Sequence, residues 1–291
     1  MSGATRAQGK SETFGAVLLL TCGVVLFAVM DGISKLMSAE SSVVQLVWAR
    51  YMFAVPVVLA ATKPSAWLRL LQSERPGLQV GRSLLPVLAN TTAVIALGLM
   101  PLADATAITF IYPLLVVALS VPLLGERVSA RSWLGVAAGF VGILVMARPG
   151  ASTIAWAGLF PLATAFFFAL YQVLTRLVSR EDRPVVTLAW TIAAGLAVTT
   201  ALLPFRWSHV DGSDWLLLIL SGILFGLGQL LLIRAFAMAP AAVLAPFSYV
   251  QIIAAVVFGA LVFGQLPDTW TLAGITLVVL AGVYVLRHQT G

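Results

Sequence analysis

The stretch FAVMDGISKL, residues 27–36, puts Asp31 and Lys35 near the end of a long apolar run. Four residues apart, they share one helix face, with the acid toward the N-terminus, the better order for an ion pair. Ionisable groups at that depth in hydrocarbon are costly and normally face a bundle interior or a watery cavity. Three readings stay open. The two form a structural pair with Lys35 snorkelling to the headgroups, or they bind solute and hold an outer gate, or Asp31 couples protons. Arg50, in the next apolar run, can pair with Asp31 or receive a carboxylate or phosphate, since its planar fork fits both.

Asn90 and Gln229 fall near the middle of two further apolar runs. An amide there must find partners that hydrocarbon does not offer, so it either joins helices or lines a site. Thr106, Thr109, Phe110 and Pro113 recur at one-face helical spacing, as do Ala245, Ser248, Tyr249 and Ile252. Pro113 and Pro246 each interrupt their helix. Trp48, Phe168, Tyr171 and Trp190 can stack on a planar solute. The expected solute-binding set is Asp31, Trp48, Arg50, Asn90, Thr109, Phe110, Tyr171, Gln172, Trp190, Gln229, Ser248 and Tyr249, with Asp31 and Lys35 as gating or coupling groups. His209 and His288 lie outside the apolar runs, and no acid-rich motif or P-loop occurs. An intramembrane enzyme therefore lacks its groups, and neither metal nor cofactor is expected.

These residues need helices to hold them. The chain is 60% hydrophobic and 10% charged, with a mean hydropathy of +1.03, far from soluble composition. Apolar runs near 14–37, 43–61, 83–100, 104–124, 131–147, 154–177, 184–203, 215–238, 241–263 and 269–286 predict an all-α integral membrane protein of ten transmembrane helices. The pI near 10.0 is a matter of topology rather than of nucleic acid. With the N-terminus inside, loop Lys and Arg, Arg82 counted among them, collect on the cytoplasmic side, while the outer loops hold only Arg148 and Arg206. That bias puts both termini in the cytoplasm and the chain in the cell's inner membrane as a multi-pass protein. A lone Cys22 allows no intrachain disulfide.

A shift of 139 residues lays GLMPLADATAITFIYPLL over AFAMAPAAVLAPFSYVQI, matching Asn90 to Gln229, Thr109 to Ser248, Phe110 to Tyr249 and Gly125 to Gly264. A shift of 141 lays FAVMDGISKL over FALYQVLTRL, matching Asp31 to Gln172 and Lys35 to Arg176. Trp48 meets Trp190 at 142. Residues 14–147 and 154–286 thus read as two five-helix units. Five is odd, so the second enters the bilayer inverted, the architecture of secondary transporters with a midplane site.

The segment RSLLPVLANTTAVIALGLMPLADATAITFIYPLLVVALSVPLLGE, the RPG near residue 149 and RAFAMAPAAVLAPFSYVQIIAAVVFGALVFGQLPD resemble the EamA branch of the drug/metabolite transporter superfamily. The resemblance spans about residues 14–286. It implies ten helices in two EamA units and transport of a small organic metabolite, without fixing which. One departure is that Gly125–Glu126 becomes Gly264–Gln265. The expected activity is alternating access around a central cavity, for an amino acid or a nucleoside-like, amphipathic solute. A passive facilitator or multidrug exporter of the same fold is the alternative. The expected partners are that solute and the lipid bilayer, in a monomer or, through the small-residue face of Gly135 and Gly139, a homodimer.

Overall fold

The computed structural model describes residues 3–125, 130–147, 156–266 and 268–289. Glu126, Arg127 and Arg148 lie outside the described residues. All regular elements among the described residues are helical: α1 (Gly3–Met37), α2 (Val43–Met52), α3 (Val55–Ala60), α4 (Pro76–Leu99), α5 (Leu102–Thr109), α6 (Tyr112–Leu124), α7 (Ala130–Ala147), α8 (Leu159–Val178), α9 (Pro184–Leu202), α10 (Gly212–Met238), α11 (Ala241–Leu244), α12 (Val250–Phe263) and α13 (Thr269–Gln289). Seven helical segments among them are long and apolar enough to cross a membrane: Thr13–Met37, Val43–Ala60, Pro76–Leu99, Asp104–Leu124, Leu159–Val178, Pro184–Phe205 and Asp214–Met238. Phe247–Phe263 and Thr269–Ala281 are shorter apolar helices, and α7 fills the run expected at 131–147.

Three local features differ from expectation. First, α4 starts at Pro76 rather than near 83, because proline at the first turn is pre-set for helical φ and gives up an N–H that had no partner there. Arg82, counted as a loop cation, is therefore inside a helix and completely buried. Second, the face Thr106–Pro113 is not continuous: α5 ends at Thr109, and Pro113 belongs to the first turn of α6. Third, the corresponding stretch around Pro246 is a 3-10 turn, Ala245–Tyr249, between α11 and α12. Both breaks sit where a proline lacks the N–H needed to continue the ladder. Downstream, the repeat-matched Gly125 and Gly264 cap α6 and α12 at φ 68° and 64°, the left-handed region that suits glycine.

The two sequence halves are interlocked. α1 packs on α10 and α12, while α4 and α6 pack on α8. In repeat terms, each half's first helix lies against the other half's third and fourth. α2 meets α9 and α10, and α7 meets α13. Close approach needs glycine. A Cβ on Gly222 of α10 would lie 2.5 Å from the Ala49 carbonyl oxygen of α2. One on Gly139 of α7 would lie 2.4 Å from Leu114, so Gly139 is used in packing within the chain.

Because the obstacle at Gly222 is backbone, Gly222→Ala is expected to cost about 1–3 kcal/mol by overpacking and to lower the thermal midpoint of the purified protein. An unchanged midpoint would show that α2 and α10 have slack.

Candidate functional site

A cavity opens between the interlocked helices, enclosing about 680 Å³ with its mouth included. α1 contributes Phe27, Met30 and Asp31, and α2 contributes Arg50. Asn90 comes from α4, Thr106 and Thr109 from α5, Phe110 from the break after α5, and Tyr112 from the start of α6. The second half supplies Thr164 and Phe168 of α8, Phe225 and Gln229 of α10, and Gln251 of α12. Six of the expected site residues are thus brought together: Asp31, Arg50, Asn90, Thr109, Phe110 and Gln229.

Arg50 organises the polar wall. Its Nη2 donates to Asp31 Oδ1 at 3.1 Å and to Ser34 Oγ at 2.7 Å, and its Nη1 donates to Asn90 Oδ1. Asn90 in turn donates to the Pro86 carbonyl at 2.7 Å. Arg50 is 1% exposed and Asp31 19%. A buried guanidinium needs such pairing, since desolvation would otherwise outweigh its attractions. One ion pair and its neighbours therefore tie α1, α2 and α4 at the cavity.

The Asp31–Lys35 pair does not form. Lys35 turns to the end of α4, where its Nζ donates to the carbonyl oxygens of Leu97 (3.0 Å) and Met100 (2.9 Å). Those last-turn carbonyls lack helical donors and carry the negative end of the helix dipole, which outcompetes an acid already held by Arg50. Arg176 does the same on α10: its Nη1 donates to the Phe236 carbonyl at 2.8 Å. Lys35 and Arg176 are repeat mates, and so are Leu97 and Phe236.

The other expected residues lie off the cavity. Tyr171 stands behind it, donating its hydroxyl to Gln229 Oε1 at 2.8 Å. Trp48 is at the outer edge of the fold, its indole N–H on Thr200 Oγ1 at 3.2 Å and its ring edge-on to Phe53 and Trp207. Trp190 is half-buried with no partner for its N–H among the described residues. Gln172, Ser248 and Tyr249 are buried and are not among the lining residues. Sequence reading missed Tyr112, Thr164, Phe225 and Gln251. Only Tyr112 and Gln251 carried a usable signal, since they match at the shift of 139.

Sequence reading also missed Arg82, which closes the opposite end of the bundle. Its Nη1 donates to Thr175 Oγ1 (2.9 Å), and its Nη2 donates to the Thr187 carbonyl (2.8 Å) and to Thr191 Oγ1 (2.7 Å). Its guanidinium lies 4.9 Å from the Tyr171 ring centre, a cation–π distance. Arg82 Nε also donates to Gln79 Oε1 at 3.2 Å, while Gln79 Nε2 donates to Asp182 at 2.7 Å. Asp182, in the turn between α8 and α9, accepts from Ser73 and from the Glu74 N–H as well. Burial alone would raise the Asp182 carboxyl, but the hydrogen bonds from Ser73, Gln79 and Glu74 and the Arg82 charge outweigh it and hold it below its ordinary value. Among the described residues no group of three or more His, Cys, Asp or Glu could hold a metal ion.

The profile of the EamA-like transporter family matches residues 14–148 and again 155–287. The chain belongs to the EamA family. It is 27% identical to the riboflavin transporter of Vibrio cholerae over 95% of its own length and 94% of that protein's. It is 23% identical to the S-adenosylmethionine uptake transporter of Rickettsia bellii, over 89% of both chains. It is 26% identical to the pseudopaline exporter of Pseudomonas aeruginosa, over 94% of this chain and 97% of that one. A solved crystal structure superposes with a TM-score of 0.70 at 20% identity, covering 98% of this chain and 99% of the other. That likeness concerns the fold alone. As an EamA member with a set of long apolar helices, the chain is a multi-pass inner-membrane transporter of small molecules.

Two outcomes follow from these contacts. Asp31→Asn strands the buried Arg50 charge, at an expected cost of about 3–5 kcal/mol. Combining it with Arg50→Gln should recover most of that loss. A thermal double-mutant cycle measures it, and strictly additive losses would show that the pair is not coupled. For Asp182, a carboxyl held low when folded adds stability fully above its unfolded pKa of about 3.9 and loses it as pH falls through the folded value. Asp182→Asn should therefore lower the midpoint at neutral pH, with the gap to wild type closing in acid. A gap that does not change with pH would deny the carboxylate that role.

Proposed function

We propose that this EamA protein carries a nucleoside-like solute by alternating access, through ten crossing helices arranged as two inverted five-helix units with cytoplasmic termini. The observation that carries the reading is the composition of the cavity. Both halves line it, five aromatic rings (Phe27, Phe110, Tyr112, Phe168 and Phe225) surround it, and amides, threonines and one Arg–Asp pair supply hydrogen bonds. Such walls suit a planar heterocycle with a polar edge. Two of the three named relatives support that class. Riboflavin and S-adenosylmethionine each join a flat nitrogen heterocycle to a polyhydroxylated chain or ribose.

In this reading Asp31, Arg50, Asn90, Thr109, Phe110 and Gln229 meet the solute. Arg50 and Gln229 are held by Asp31, Asn90 and Tyr171, so their donors are already oriented before binding, which lowers its cost. Lys35 and Arg176 act at a distance, fixing the ends of α4 and α10. The interlocking sets which parts move. The bodies that rock are α1–α10–α12 against α4–α6–α8, each drawing helices from both halves.

Reconstituted in liposomes, the protein should take up radiolabelled riboflavin. Thr109→Cys in a Cys22→Ser background should react with a membrane-impermeant maleimide from one face only, and riboflavin should slow that reaction. Equal labelling from both faces, with or without solute, would sink alternating access. Absence of uptake and protection would sink the solute class.

A further inference from the structure

We infer that Tyr112, Gln172, Ser248 and Tyr249 form a second, charge-free layer of the solute site, shut in this conformation and reached from the opposite face of the membrane. The inference rests on the transport reading above and adds to it the groups that meet the solute after the switch.

The four side chains are 0–4% exposed. The Tyr112 hydroxyl lies beside Ser248 and Gln172, yet none of the groups completes a hydrogen bond of ordinary geometry. The hydroxyls of Tyr112 and Tyr249, Ser248 Oγ and both amide atoms of Gln172 lack a partner among the described residues. Folded proteins pair nearly all their buried polar atoms, and a half-satisfied polar cluster is worse than an apolar one. Such a cluster is expected where its atoms are used in another state.

The repeat says which state. Gln172, Ser248 and Tyr249 match Asp31, Thr109 and Phe110, all three of which line the open cavity. Tyr112 matches Gln251, and both already touch the cavity. Ser248 and Tyr249 sit in the helix break at Pro246, and Thr109 and Phe110 in the break before Pro113. The closed layer is thus the counterpart of the open one, collapsed onto itself. The Arg82 clasp lies one helical turn along α8, on Thr175.

The chemistry of the two layers differs. The open layer has a formal ion pair, Asp31 with Arg50, whereas the closed layer offers only hydroxyls and one amide. It fits an uncharged hydrogen-bonding edge, such as a ring imide or sugar-type hydroxyls. A fixed cation on the solute that leaned on Asp31 would find no carboxylate there.

The test needs no knowledge of the solute. Tyr112→Phe and Tyr249→Phe each delete an unpaired buried hydroxyl, so both should raise the thermal midpoint of the purified protein. Ser248→Cys in the Cys22→Ser background should react with impermeant maleimide only from the face opposite to Thr109→Cys. Loosening the clasp with Arg82→Gln should speed that reaction on the order of tenfold by shifting the population. The inference is overturned if both Phe variants lower the midpoint, or if Ser248→Cys reacts from the Thr109 face or from neither. The expected labelling without riboflavin uptake by wild type would support the layer and overturn only the solute class proposed above.

Discussion

A guanidinium held inside an apolar bundle constrains everything around it. Arg50 can stay charged there only because Asp31, Ser34 and Asn90 converge on it from two other helices. That convergence fixes how α1, α2 and α4 meet, and it gives the cavity a polar wall that is oriented before any solute arrives. Arg82 repeats the arrangement at the other end with different partners. Threonine hydroxyls and a backbone carbonyl surround it, and its acid is reached only through Gln79. The two ends therefore differ in how firmly charge is locked.

Much of this was legible in the residues. Polar groups spaced through apolar runs flagged Asp31, Arg50, Asn90, Thr109 and Gln229, because hydrocarbon penalises each unless something meets it, and helical spacing put Phe110 on the Thr109 face. The repeat register also anticipated that Lys35 and Arg176 would behave alike. Partner choice was not legible. Helical spacing favoured Lys35 for Asp31, but spacing within one helix says nothing about Arg50 on the next, and the open carbonyls at the end of α4 claimed the lysine. Arg82 was hidden for a similar reason. A cation close to a run boundary looks like a loop residue until Pro76 is seen to start the helix earlier.

The aromatic assignments divided by depth. Phe110 faces the cavity, whereas Trp48 and Trp190 do not. Trp48 instead joins Phe53 and Trp207 at the rim. Tyr171 was expected in the wall and stands one layer behind it, aiming Gln229.

The interlocking of the halves bears on how the molecule comes into being. α1 is made well before its main neighbours, α10 and α12. Throughout synthesis, the face of α1 that carries Asp31 has no native neighbour from the second half. The first five-helix unit cannot complete its own core and wait as a finished domain. The native packing of the first half is therefore complete only once the second half has been made. Duplication of an ancestral unit would have faced the same condition, since a single copy could only have been stable by interlocking with another copy of itself.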